Sequence, residues 1–254
     1  MLEVCVDSLE SAVNAVLGGA DELELCSCLV EGGLTPSPGL VTEVLSMASN
    51  SIQPKNRKSK KVKVNVMIRC RGGSHFSYND HEMTTMLADI KVYKDMGVDR
   101  FVFGALTENH EVDKINCAKV LEEAGQVPVT FHRAFDLCRD PRNAVRDIIE
   151  VGFDRILTSG QKPSAVYNDA IELYKWLLRH FGSEIQILPG AGITCENAPI
   201  FMDLGFEMIH SSCKIIRKLD ENDDLDMGDS EIYVTDEEIV RKMKDVIQKK
   251  RDKT

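Results

Sequence analysis

The chain has 254 residues, 43% of them hydrophobic, and a net charge of −10 at pH 7. That length buries a core without disulfide staples, and the acidity excludes nucleic acid as a partner, because phosphate binding needs a basic face. No stretch approaches 18 apolar residues, so neither a membrane span nor a secretory signal is expected, and the expected location is cytoplasmic.

The elements follow one another as strand, turn and amphipathic helix. Leu2 to Val6 reads as a strand, and Ser8 caps a helix carrying Val13, Val16 and Leu17 on one face. Gly18 and Gly19 end it, and Glu22 to Cys26 is the second strand. A Gly/Pro-rich loop from Glu31 to Pro38 leads to a helix running through Met47. Val62 to Ile68 is the third strand, followed by a helix over Asp80 to Met96. Arg100 to Gly104 is the fourth strand, and Asp113 to Ala124 is a helix stopped by Gly125. Val127 to His132 is the fifth, and Asp140 opens a helix with Pro141 at its first position. Arg155 to Thr158, Ile185 to Leu188 and Phe206 to His210 are strands six to eight, with helices over Ser164 to Phe181 and Cys195 to Leu204 between them. A closing helix spans Thr235 to Lys249, its inner face formed by Ile239, Met243, Val246 and Ile247.

Eight strands each followed by a helix predict an α/β chain folded as a single (β/α)8 TIM-type barrel over residues 1–254. The competing open doubly wound sheet lacks a G-x-G-x-x-G after strand one. Two segments fall outside the repeat. Residues 49–61 are polar, with five Lys/Arg, and read as a solvated insertion; residues 220–231 hold seven acids and read as an acidic loop. Within the latter, Asp220, Asn222, Asp224 and Glu231 mimic calcium-loop spacing, but Leu225 stands where such a loop needs glycine.

Strands of a parallel sheet are covered on both faces and normally read as continuous Val, Ile and Leu. Here polar residues alternate with apolar ones: Glu3 and Cys5 on strand one, Glu24 and Cys26 on strand two, Asn65, Met67 and Arg69 on strand three, Thr130 and His132 on strand five, and His210 ending strand eight. The apolar set faces the helices, so the polar set lines the barrel. Charges there require partners, which predicts that Glu3, Glu24, Arg69 and His132 form one interior network. Either this is a structural ion network that fixes register, or it lines a functional pocket at the C-terminal strand ends, where barrel active sites are built.

Pro189-Gly190-Ala191-Gly192-Ile193-Thr194 follows strand seven, and His210-Ser211-Ser212 ends strand eight. Glycine-rich turns leading to a helix suit an anion, and the loops after strands seven and eight are the usual phosphate site of barrels. Ser159, in Thr158-Ser159-Gly160-Gln161, adds a hydroxyl beside Gly190, Ala191, Gly192, His210, Ser211 and Ser212. A tight turn without a ligand fits the same residues.

The run E-V-C-V-D-S-L-E-S-A-V-N-A, with G-G-A-D-E-L-E-L-C-S and E-G-G-L-T-P-S-P-G, resembles the CutC family, named for copper homeostasis. R-C-R-G-G, V-F-G-A-L-T-E, V-T-F-H-R-A-F-D, L-T-S-G-Q-K and P-G-A-G-I-T carry the resemblance on to about residue 213. It implies a TIM-type barrel, a cytosolic location, a homo-oligomer and a Cu(I) site at Cys5 and Cys26. Soft thiolates on neighbouring strands select Cu(I), and Met67 is a soft third contact. The chain departs from the family pattern at Cys70, which replaces a proline, at Ser74-His75 before Phe76, and in the acidic stretch after Cys213.

Two functions follow. One is a copper homeostasis protein binding Cu(I) through its interior cysteines. The other is a barrel enzyme acting on a small anionic, phosphorylated or similar, substrate. In it His132 or Glu24 is the acid/base group, Arg69 and Arg133 stabilise charge, Glu3 belongs to the same catalytic interior, and Asp136 orients its neighbours. No organic cofactor is expected. The remaining cysteines have no C-x-x-C or zinc-ribbon spacing and read as reduced, buried thiols.

Overall fold

In the computed structural model, residues 1–49, 61–218 and 231–251 are described. Most of the polar insertion and of the acidic loop, including Asp220, Asn222, Asp224 and Leu225, lies outside them. Eight parallel strands form a nearly closed barrel: β1 (Leu2–Val6), β2 (Glu22–Leu25), β3 (Lys63–Met67), β4 (Arg100–Phe103), β5 (Val129–Phe131), β6 (Arg155–Thr158), β7 (Gln186–Pro189) and β8 (Ile209–Ser211). The order is β7-β6-β5-β4-β3-β2-β1-β8, so β1 pairs with both β2 and β8, and the seam lies between β7 and β8.

Helices alternate with the strands: α1 (Leu9–Gly18), α2 (Pro38–Ser49), α3 (Asp80–Met96), α4 (Lys114–Ala124), α5 (Pro141–Val151), α6 (Asn168–Phe181), α7 (Ala198–Asp203) and α8 (Glu237–Arg251). Local chemistry sets their ends. Ser8 accepts from the Ser11 amide at the start of α1, and Asn79 and Glu82 form a reciprocal capping box on α3. Asp140 accepts from the amides of Arg142 and Asn143, with Pro141 opening α5. Val4, Val6, Leu23, Leu25, Val64, Val66, Phe101 and Phe103 face outward and are fully buried beneath the helices. None of the described helices is long and apolar enough to cross a membrane.

An antiparallel hairpin, β9 (Lys214–Lys218) with β10 (Glu231–Thr235), joins β8 to α8 and has no counterpart in the predicted elements. It rests on α1, where Arg217 pairs with Glu10 (2.6 Å) and the Asn14 side chain donates to the Thr235 carbonyl (2.9 Å). The closing helix begins two residues later than predicted because β10 runs through Thr235.

Parallel register places side-by-side residues on the same face. Glu3 lies beside Glu22 and His210, Cys5 beside Glu24, Glu24 beside Asn65, and Thr130 beside Arg155. The alternate polar set therefore does line the interior, as the strand patterns require.

Candidate functional site at the barrel mouth

The interior is stacked in levels from the N-terminal floor to the C-terminal mouth. At the floor, Arg155 donates through one NH1 to Glu22 (2.9 Å) and Glu3 (3.3 Å), and through Nε to Gln186 (2.6 Å). The Asn65 amide donates to Glu3 (2.6 Å) and Glu22 (2.9 Å). Despite burial, the Arg155 guanidinium and the Asn65 amide hold Glu22 down at about 2. Glu22, Asn65 and Arg155 were not among the predicted site residues. The signal for Glu22 was available, since it shares the alternation of Glu24.

One level up, His210 Nδ1 sits 2.9 Å from Glu3 Oε1, and its Nε2 lies 3.8 Å from Glu24 Oε2. Burial alone would push His210 down, but the Glu24 carboxylate, the Cys5 thiol and Glu3 hold it well above the ordinary imidazole range. Burial pushes Glu24 up to about 7, with His210 pulling it down and Glu3 adding to the rise. Cys5 completes this level: one ligand-type atom from each of Cys5, Glu24 and His210 falls within 4.8 Å of the others. Glu24 Oε1 is buried without a hydrogen-bond partner among the described residues.

Cys26 is fully buried, packed with Met67 and Val102, and its thiol reaches Glu24 Oε2 at 3.8 Å. Gly33 closes over it: a Cβ there would lie 2.9 Å from Sγ, on a backbone at φ +89°. Burial and the adjacent Glu24 push the Cys26 thiol well above its ordinary value. Cys5 faces the open cavity, whereas Cys26 does not line it.

The predicted single network of Glu3, Glu24, Arg69 and His132 is two separate arrangements. Glu3 and Glu24 meet through His210. Arg69 and His132 stand at the rim, because Arg69 lies four residues beyond the floor residue Asn65 and past the end of β3, and His132 lies two beyond Thr130, the neighbour of Arg155, and just past the end of β5. The Arg69 guanidinium donates to the carbonyls of Glu31 (2.7 Å), Gly33 (3.0 Å) and Gly73, and lies over the Phe76 ring. Phe76 also meets the His132 ring, with centroids 4.9 Å apart. His132 Nδ1 accepts from the Ala134 amide (3.2 Å), which places the imidazole proton on Nε2, and Nε2 is buried without a partner among the described residues. Burial, with Arg69 and Arg133 nearby, pushes His132 down to about 3, so it is neutral at physiological pH. A Cβ on Gly104 would lie 2.6 Å from Nδ1, so only glycine leaves room for the ring.

Asp136 is committed to positioning. It accepts from Arg133 Nε (2.8 Å), Thr158 Oγ1 (2.5 Å), the Ser159 amide (3.0 Å) and the Ser159 hydroxyl (2.8 Å). Ser159 is fully buried and also receives an N–H from Arg133 (3.1 Å). Of the predicted anion cradle, the Gly190 amide is spent on Thr158 O (2.9 Å) and the Ser211 hydroxyl on Ile193 O (2.8 Å). Ala191, Gly192, His210, Ser211 and Ser212 line the cavity, and the amides of Ala191 and Gly192 have no hydrogen-bond partner among the described residues.

The cavity enclosed by these levels has a volume of about 740 Å³. Residues 1–215 match the model of the CutC family. The chain belongs to that family. Among CutC relatives, the human "Copper homeostasis protein cutC homolog" is 44% identical over 218 residues, covering 85% of this chain and 74% of the human one. A CutC family protein of Pasteurella multocida is 37% identical, over 98% of this chain and 99% of its own. A solved structure of CutC from Streptococcus agalactiae superposes with a TM-score of 0.75 at 30% identity, covering 84% of this chain and 98% of that one. Thiamine phosphate pyrophosphorylase from Pyrococcus furiosus, at 11% identity and a TM-score of 0.61, shares the barrel fold alone.

Proposed function

We propose that this CutC-family chain binds Cu(I) at the inner level of its barrel mouth, in keeping with the copper homeostasis named for its relatives. The observation that carries this reading is the convergence of Cys5, Glu24 and His210 ligand atoms within 4.8 Å. Thiolate and imidazole are the donors that Cu(I) prefers, and two of them suffice. Cys5 Sγ and His210 Nε2 are the primary ligands. Cys26 stands outside this trio and touches it through Glu24, which receives its S–H at 3.8 Å and is placed to accept the proton that the metal displaces.

Anaerobic titration of Cu(I) against a strong chelator tests this. The wild-type chain should outbind a Cys5→Ser/Cys26→Ser variant by at least about 100-fold, roughly 2.7 kcal/mol. Equal binding would overturn the reading.

Acid/base catalysis on a small organic anion is the second reading, and the size of the cavity favours it. About 740 Å³ falls in the range of sites for organic ligands and far exceeds what one ion fills. Screening for turnover in copper-free protein tests it.

A further inference from the structure

The outer half of the mouth has chemistry that copper does not use. Among the described residues, His132 Nε2–H is a buried donor without a partner, and so is Arg69 Nε. An unpaired buried donor costs about 1–3 kcal/mol, and the two side chains line the same cavity from just past the ends of β3 and β5, both against Phe76. The imidazole is fixed as a donor by the Ala134 amide on its other nitrogen (3.2 Å), and it is seated by the absence of a Cβ at Gly104. A neutral N–H held this way matches a neutral or developing oxygen, as on a carbonyl, better than a full charge.

The next residue supplies the charge. Arg133 is oriented by Asp136 through Nε (2.8 Å) and by Ser159 through NH2 (3.1 Å), which leaves NH1 without a partner among the described residues. Arg69, Arg133, Lys214 and Lys242 line the cavity against Glu24 and Glu196. Asp136 and Glu238 pair with Arg133 (2.8 Å) and Lys242 (3.7 Å), so in a chain of net charge −10 the mouth offers an anion local cationic partners rather than a net positive field. Lining the same cavity as Arg133, Ala191 and Gly192 stand on left-handed backbone (φ +75° and +73°), their amides unpartnered among the described residues.

We propose that the outer mouth is a binding site for a small organic anion bearing a carbonyl, with the carbonyl oxygen on His132 Nε2–H and the acid group on Arg133 and the loop amides. The site shares its cavity with the second reading above but needs no turnover, and it uses none of the copper ligands. Binding and turnover can therefore fail separately.

The test uses the full, copper-free chain with pyruvate, acetate and inorganic phosphate as probes, followed by calorimetry and by 15N-edited NMR of the histidine side chains. Pyruvate should bind and move the His132 Nε2–H signal. It should bind about tenfold more tightly than acetate, and Arg133→Met, a change at a half-exposed side chain, should weaken it by about tenfold, or ~1.4 kcal/mol. Failure of pyruvate to bind at millimolar concentration would overturn the proposal. So would binding that leaves the His132 signal in place, or acetate or phosphate binding as tightly as pyruvate.

Discussion

The floor of the barrel makes a quantitative test of how the mouth is held. Arg155 is 3% exposed and neutralises two carboxylates, Glu3 and Glu22, that are each 2% exposed. Arg155→Met keeps the apolar stem and removes the charge, leaving Glu3 only His210 and Asn65 and Glu22 only Asn65 and the half-exposed Lys63 at 3.5 Å. Breaking a buried ion pair from one side costs about 3–5 kcal/mol. The lowering of Glu22 from 4.5 to about 2, against burial and with Arg155 as its strongest lowering partner, is of the same scale, worth about 3 kcal/mol at neutral pH. The sign follows from that lowering. Its stabilisation is complete above about pH 4.5 and is lost as pH falls toward 2, with about 1–2 kcal/mol left near pH 3. In the variant the two acids, short of the Arg155 cation, relax by taking up protons as pH falls. The stability gap between wild type and Arg155→Met should therefore be about 3–5 kcal/mol at pH 7 and shrink to less than half of that at pH 3. Urea unfolding followed by the fluorescence of the single tryptophan, Trp176, measures both. A gap under about 1 kcal/mol at pH 7, or one that does not change with pH, would refute this account of the floor.

Copper affinity should rise with pH across the neutral range, because His210 is held protonated by its neighbours and must release that proton from Nε2 to bind. The expected slope is up to about tenfold per pH unit for each proton released, and a pH-independent affinity in the anaerobic chelator competition would exclude His210 as a ligand. Gly104→Ala should cost about 1–3 kcal/mol by overpacking, since its Cβ would fall 2.6 Å from His132 Nδ1. Urea unfolding and the histidine NMR signals check it, and unchanged His132 resonances would count against the seating argument.

The barrel was legible because the period-two alternation survives in every long strand. Val4, Val6, Leu23, Leu25, Val64 and Val66 all face the helices, as their spacing implies. The polar complement was equally readable on β1 to β3. What alternation cannot supply is height along the barrel axis, which depends on register between strands far apart in sequence. Glu24 and His132 share a polar parity, yet one meets His210 at the inner level and the other meets Phe76 at the rim. Arg155 was missed for a related reason. It is the first residue of β6, where an arginine ordinarily points to solvent, and only its register beside Thr130 and Gln186 carries it inside. The β9–β10 hairpin was hidden by the acidic stretch between its strands, although Lys214–Lys218 and Glu231–Thr235 are each rich in β-branched residues.

The sequence left two readings of the interior polar residues open, a structural ion network or a functional pocket, and the levels show that these are not exclusive. Glu3 belongs to both. One of its oxygens takes the Asn65 and Arg155 donors of the floor, and the other faces His210 Nδ1 at 2.9 Å. With Nδ1–H held by that carboxylate, the lone pair of Nε2 is the one that becomes available when the ring loses a proton, and Nε2 is the nitrogen turned toward Glu24 and Cys5. A carboxylate behind a histidine fixes its tautomer and raises its basicity toward a metal. The ion network is thus what orients the candidate copper ligand, while His132 owes its opposite tautomer to a backbone amide and not to an acid. Two histidines in one cavity are thereby set to different work: His210 as a base toward a soft cation, His132 as a neutral donor toward an oxygen.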